Sequence, residues 1–95
     1  MTVGPGDRRE DVEAIVLVWL TAARNAPAFE AYLRTRSEVV DAWCVAADSD
    51  AVLRIRCADM RALDGLVTDL RDAAGGGRTV THLVLRPYDI PRVRL

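Results

Sequence analysis

Asp48, Ser49 and Asp50 set two carboxylates either side of a hydroxyl in the stretch AADSDAVLRIR. Asp and Ser favour turns because their side chains bond to nearby backbone. Paired carboxylates can hold calcium, but that needs further oxygen ligands at alternate positions and a closing Glu, and none follows. A carboxylate fixed on a loop can also receive an ammonium group through charge-assisted hydrogen bonds. No metal site is expected here, while turn and ligand loop both stay open. His82 is the sole histidine and has no Cys or carboxylate at ligand spacing. It also lacks the orienting partner that a catalytic imidazole requires, so a structural or sheet-surface role is expected. Cys44 and Cys57 fit no zinc or redox spacing and read as small hydrophobes. Gly75-Gly76-Gly77-Arg78-Thr79 looks like a phosphate loop, but it follows a helix and precedes a strand, the reverse of the order such loops need. Catalytic residues and cofactors are therefore expected to be none.

Composition narrows the classes further. The 95 residues suit one domain. Half are apolar (51%), mostly Val, Leu, Ile and Ala, with few aromatics (5%). The 13 basic residues, all Arg, are interleaved with 14 acids for a net charge of −1. A surface that neutralises phosphates is strongly basic, so direct nucleic-acid binding is not expected. The longest apolar run, AIVLVWL, is far short of the roughly 20 residues that span a bilayer. Free thiols and the lack of a signal-like N-terminus point to a soluble, cytoplasmic protein with no membrane partner.

The elements that position these residues follow from periodicity. Residues 1–10 hold Gly, Pro and charges and read as a flexible lead-in. EAIVLVWL, residues 13–20, is a continuous apolar run, which predicts a strand buried on both faces. Asn25-Ala26-Pro27 starts a helix in which Phe29, Tyr32 and Leu33 share a stripe, ending near Arg36. Residues 39–46 and 51–57 form two strands around the Asp48 turn. In the second, Leu53, Ile55 and Cys57 share one face while Val52, Arg54 and Arg56 share the other. Asp59 caps a second helix whose Met60, Leu63, Leu66, Val67, Leu70 and Ala74 recur at three- and four-residue steps, and the glycine run ends it. Gly65 lies off that stripe. Residues 79–85 form a fourth strand, and 87–95 an extended tail.

The order β-α-β-β-α-β is the ferredoxin-like α+β arrangement, a four-stranded antiparallel sheet with both helices on one face. The other face is then open. A first strand without polar alternation makes that face an apolar patch larger than monomers carry. A second copy packed sheet to sheet covers it, so a homo-oligomer is expected. Trp19 and Trp43 are expected to pack in the core or the interface, and Arg54 and Arg56 to rim that interface beside acids.

From Asp11 to Arg86 the chain resembles the effector-binding domain of the Lrp/AsnC (feast/famine) transcription regulators, also called the RAM domain. SEVVDAWCVAADSDAVLRIRCADMRAL is similar to that family's run of Pro-Glu-Val, a strand, Thr-Gly-x-Tyr-Asp-Tyr-Leu-Leu and a helix starting after Asp. RTVTHLVL is similar to its closing Arg-Thr-x-Thr-x-Ile-Val-Leu strand. The resemblance implies residues 11–86 as a ligand-binding domain, dimers built by facing sheets, and higher assembly up to an octamer. It implies an amino-acid or related small-molecule effector between dimers. The ligand residues it carries over are Ala47, Asp48, Ser49, Asp50, Thr79 and Thr81, with Asp50 meeting the effector's amino group. The family glycine is Ala47 here, and its two tyrosine positions are Ser49 and Ala51. No helix-turn-helix precedes the first strand, which implies a stand-alone sensor that associates with full-length Lrp/AsnC regulators.

The alternative is a cofactor-independent monooxygenase or isomerase of the dimeric α+β barrel type. That chemistry needs convergent polar groups in a cavity between helices and sheet. A helix-side cavity lined by His82 and a Trp would favour it.

Overall fold

The computed structural model describes residues 11–46 and 49–91. Four strands and two helices follow in the expected order: β1 (Val12–Val18), α1 (Ala26–Leu33), β2 (Val39–Cys44), β3 (Ala51–Cys57), α2 (Met60–Ala73) and β4 (Thr79–Leu83). The sheet order is β2-β3-β1-β4, with every neighbouring pair antiparallel. The fold is ferredoxin-like α+β. The expected lead-in, residues 1–10, lies outside the described residues, as do Ala47, Asp48 and residues 92–95 of the expected tail.

The hydrophobic core lies between the helices and one face of the sheet. Ala14, Val16 and Val18 of β1 and Leu53, Ile55 and Cys57 of β3 meet Leu63, Leu66, Leu70 and Ala74 of the α2 segment and Phe29 of α1. Each aliphatic side chain of that size contributes about 1.5–3 kcal/mol when fully buried. The α2 stripe thus packs as its spacing requires, except Met60 at the first turn, which is exposed. Asp59 caps α2 by accepting from the Ala62 N–H at 2.8 Å. Its other end is a Schellman turn. Gly76 N–H donates to Arg71 O at 2.9 Å and Gly75 N–H to Asp72 O at 3.0 Å, both glycines holding positive φ.

The β1 strand departs from its expectation in an informative way. Alternate residues Ala14, Val16 and Val18 are sealed, but Ile15, Leu17 and Trp19 are only half-buried in the single chain. The helices cover one side, and no described element covers the other. The start of α1 differs too. Asn25 does not cap with its side chain; its amide donates to Thr21 Oγ1 at 2.8 Å, and a 3-10 turn (Ala23–Asn25) leads into the helix. At the start of β2 the register slips between Val39 and Asp41.

Candidate functional site

Asp50 sits where β3 begins. Its N–H donates to Val18 O at 2.9 Å, and its Oδ2 accepts from the Leu20 N–H at 2.8 Å. The carboxylate is therefore pinned at the end of β1, on the surface, with no ion pair to a described residue. Beside it Ser49 turns inward and is 3% exposed. Ala47 and Asp48, the other expected residues of this loop, lie outside the described residues. Thr79 and Thr81 oppose Val18 and Val16, so both share the helix side of the sheet. Thr79 Oγ1 accepts from Arg71 Nη2 at 3.3 Å. Thr81 lines a cavity of about 260 Å³ with Met60, Leu63, Asp64, Val67 and Leu83. Within one chain, then, Asp50 and the two threonines do not line a common pocket, because β1 runs between them.

Asp50 instead closes one end of a larger cavity, about 470 Å³, between α1 and the edge strand β2. Leu20, Phe29, Leu33, Val39 and Ala51 make its apolar lining. The space exists because β2 and β3 turn small residues toward α1: Ala42, and Cys44 directly opposite Ala51. Sequence reasoning missed this cavity. Its signal was present as Ala42, Cys44 and Ala51 facing the bulky α1 stripe.

The helix-free face of the sheet reads as rows across the strands. One row is apolar: Trp43, Val52, Leu17 and Val80. The next is Asp41, Arg54, Ile15 and His82. Arg54 grips Asp41, with Nε donating to Oδ2 at 2.9 Å, and its Nη1 reaches Glu13 Oε2 at 3.3 Å. Arg56 lies 3.7 Å from the other Glu13 oxygen. The hydrogen bond to Asp41 is the largest cause holding the Arg54 guanidinium above its ordinary pKa. Trp19, which follows β1, carries the Arg78 guanidinium 4.4 Å from its ring centroid. The expected pairing of Arg54 and Arg56 with acids is thus present, and both tryptophans belong to this face. His82 is exposed here, on the side opposite the helix-side cavity that Trp43 rims. Among the described residues, His82 and a tryptophan do not line a common helix-side cavity.

Among the described residues, no group of three His, Cys, Asp or Glu side chains could hold a metal ion. Among them also, no helix is long and apolar enough to cross a membrane.

The family model of the Lrp/AsnC ligand binding domain matches residues 13–93. No curated protein matches the chain in sequence. Solved structures match in fold. A feast or famine regulatory protein from M. tuberculosis complexed with L-methionine is 24% identical, with a TM-score of 0.77, over 99% of this chain and 63% of that one. AsnC from E. coli is 22% identical, with a TM-score of 0.77, over the same shares. A transcriptional regulator from Neisseria meningitidis in an L-Met complex is 21% identical, with a TM-score of 0.74, over 97% of this chain and 60% of that one. The chain spans about three fifths of the length of these structures.

Proposed function

This chain belongs to the family of Lrp/AsnC ligand-binding domains, and from that premise we propose that it is a non-enzymatic sensor module in transcription regulation. It binds an amino acid or a related small metabolite where copies of the chain meet, with Asp50 receiving the ligand's ammonium group. The observation that carries this reading is the family match over residues 13–93. The L-methionine in two of the similar structures makes methionine the first effector to test.

The physics is binding linked to association. The sheet face opposite the helices, with Leu17, Val52 and Trp43 uncovered by α1 or α2, supports self-association through facing sheets. A ligand that touches two dimers stabilises the assembled state by mass action. Assembly with full-length regulators of the family carries the change to transcription, and DNA contact belongs to that assembly.

A thermal-shift screen over the natural amino acids tests the reading. An effector present at a hundred times its dissociation constant adds about 2.7 kcal/mol, a rise of roughly 10 °C or more for a domain of this size. Asp50→Asn keeps an oxygen for the Leu20 N–H but removes the charge, and it should abolish the shift. No shift with any amino acid, or shifts unaltered by Asp50→Asn, overturns the assignment.

A further inference from the structure

Resting on the effector-binding reading above, we propose that the cavity between α1 and β2 of a single chain seats the ligand's apolar body. The ligand class is a primary ammonium compound with a large aliphatic or aromatic side chain. About 470 Å³ lies within the roughly 300–1,000 Å³ typical of small-molecule sites. The charges around the cavity choose the ligand's polar end. Among the described residues, the charged side chains on its side of the sheet are Glu30, Arg34 and Asp50, while Asp41 lines it from β2 with its carboxylate turned to Arg54 on the other face. Glu30 is held by Arg34 at 2.7 Å, and Asp41 is held by Arg54 from the neighbouring strand. Only Asp50 lacks a cation among the described residues; its Oδ2 accepts from the Leu20 N–H.

A carboxylate with no cation beside it among the described residues, at the end of an apolar hollow, fits an ammonium group on an apolar body. Among the described residues the one lining cation, Arg34, is already engaged, so a carboxylate on the ligand gains nothing from this wall. Selectivity then follows size. Each further buried CH2 is worth about fourfold in affinity, which favours phenylalanine- or leucine-sized side chains over that of alanine.

The chain carries its own reporter. Cys44 is exposed and lines the cavity, while Cys57 is buried. The experiment measures the alkylation rate of Cys44 in the full chain by iodoacetamide and intact mass. The added ligands are 2-phenylethylamine, 3-phenylpropionate, L-phenylalanine and L-alanine. Near-saturating 2-phenylethylamine or L-phenylalanine should slow alkylation about fivefold or more, as site occupancy dictates. The phenylpropionate and alanine should not. Asp50→Asn should remove the protection. Ala42→Trp, placed on an exposed lining position, should fill the hollow and abolish binding by calorimetry while leaving the circular dichroism spectrum unchanged.

Equal protection by 3-phenylpropionate overturns the proposal, as does unchanged selectivity in Ala42→Trp. Protection that rises with protein concentration in the absence of ligand also overturns it, because a second copy then fills the hollow. If amino acids bind and shift assembly but leave Cys44 alkylation unchanged, the cavity assignment falls and the effector reading stands. If 2-phenylethylamine protects Cys44 but no amino acid binds, the effector reading falls and the cavity assignment stands.

Discussion

The two faces of the sheet are made from alternating residues of the same strands, yet they live in different surroundings. Val16 and Leu53 are fully sealed beneath the helices, while their strand neighbours Leu17 and Val52 are only half-covered. Both sets are aliphatic. Burial under the chain's own helices is what holds the fold together, so the apolar character of the other face exceeds what one chain needs. That face also mixes grease with charge: an apolar row through Trp43, Val52, Leu17 and Val80 beside the ion pairs of Asp41, Arg54, Glu13 and Arg56. In the self-association proposed above, the apolar row would supply affinity and the charges register.

The largest expected effect sets the faces against each other directly. Leu53→Ala should cost about 2–5 kcal/mol of chain stability by urea unfolding, the cost of a cavity in a packed core. Leu17→Asp, at dilutions where the protein is monomeric, should cost much less. It should weaken self-association about 30-fold or more in sedimentation velocity, because an unpaired carboxylate would have to be buried. Equal losses of chain stability in the two variants would erase the distinction between the faces. A smaller effect comes from the outer side of α2, remote from both faces. At Gly65 an added Cβ meets only open space, so Gly65→Ala should stabilise the chain by about 1 kcal/mol without changing association. A loss of association there would move the interface onto the helices.

The smallest effect concerns the clamp at the foot of α1. Arg36 donates to Glu38, Asp69 and the Tyr32 hydroxyl. Its hydrogen bond to Glu38 is the main cause holding that carboxylate below its ordinary range. A depressed folded-state pKa means the stabilisation is present above the unfolded value, about 4.3, and is lost as pH falls through the folded value. Glu38→Gln should therefore flatten the acid limb of the stability curve. The change should be no more than about 1 kcal/mol, since the pair is part-exposed. An unaltered acid limb would show that the clamp adds nothing to the covered side.

Much of this architecture was legible in the chain itself. The α2 stripe, its Asp59 cap and its glycine stop follow from local periodicity and backbone preference, and each behaves as local physics requires. The two-fold alternation of β3 separated Leu53 and Ile55 from Arg54 and Arg56 without reference to any partner strand. Where local rules competed with tertiary contacts, the reading failed in detail. Asn25 gives its side chain to Thr21 rather than to the helix, because the glycine turn packs closely there: a Cβ on Gly75 would run into both residues. Likewise, nothing local says that Ser49 turns inward while Asp50 reaches across to the Leu20 N–H.

The sequence by itself determined the element order, the covered face and the surplus of apolar residues on β1, because these depend on spacings of two and three to four residues along one segment. Only the tertiary structure decided that Thr81 and Asp50 line different hollows, and that small residues on β2 and β3 leave room under α1. Those outcomes depend on which strands are neighbours and how far a helix stands off the sheet, distances that no single segment encodes.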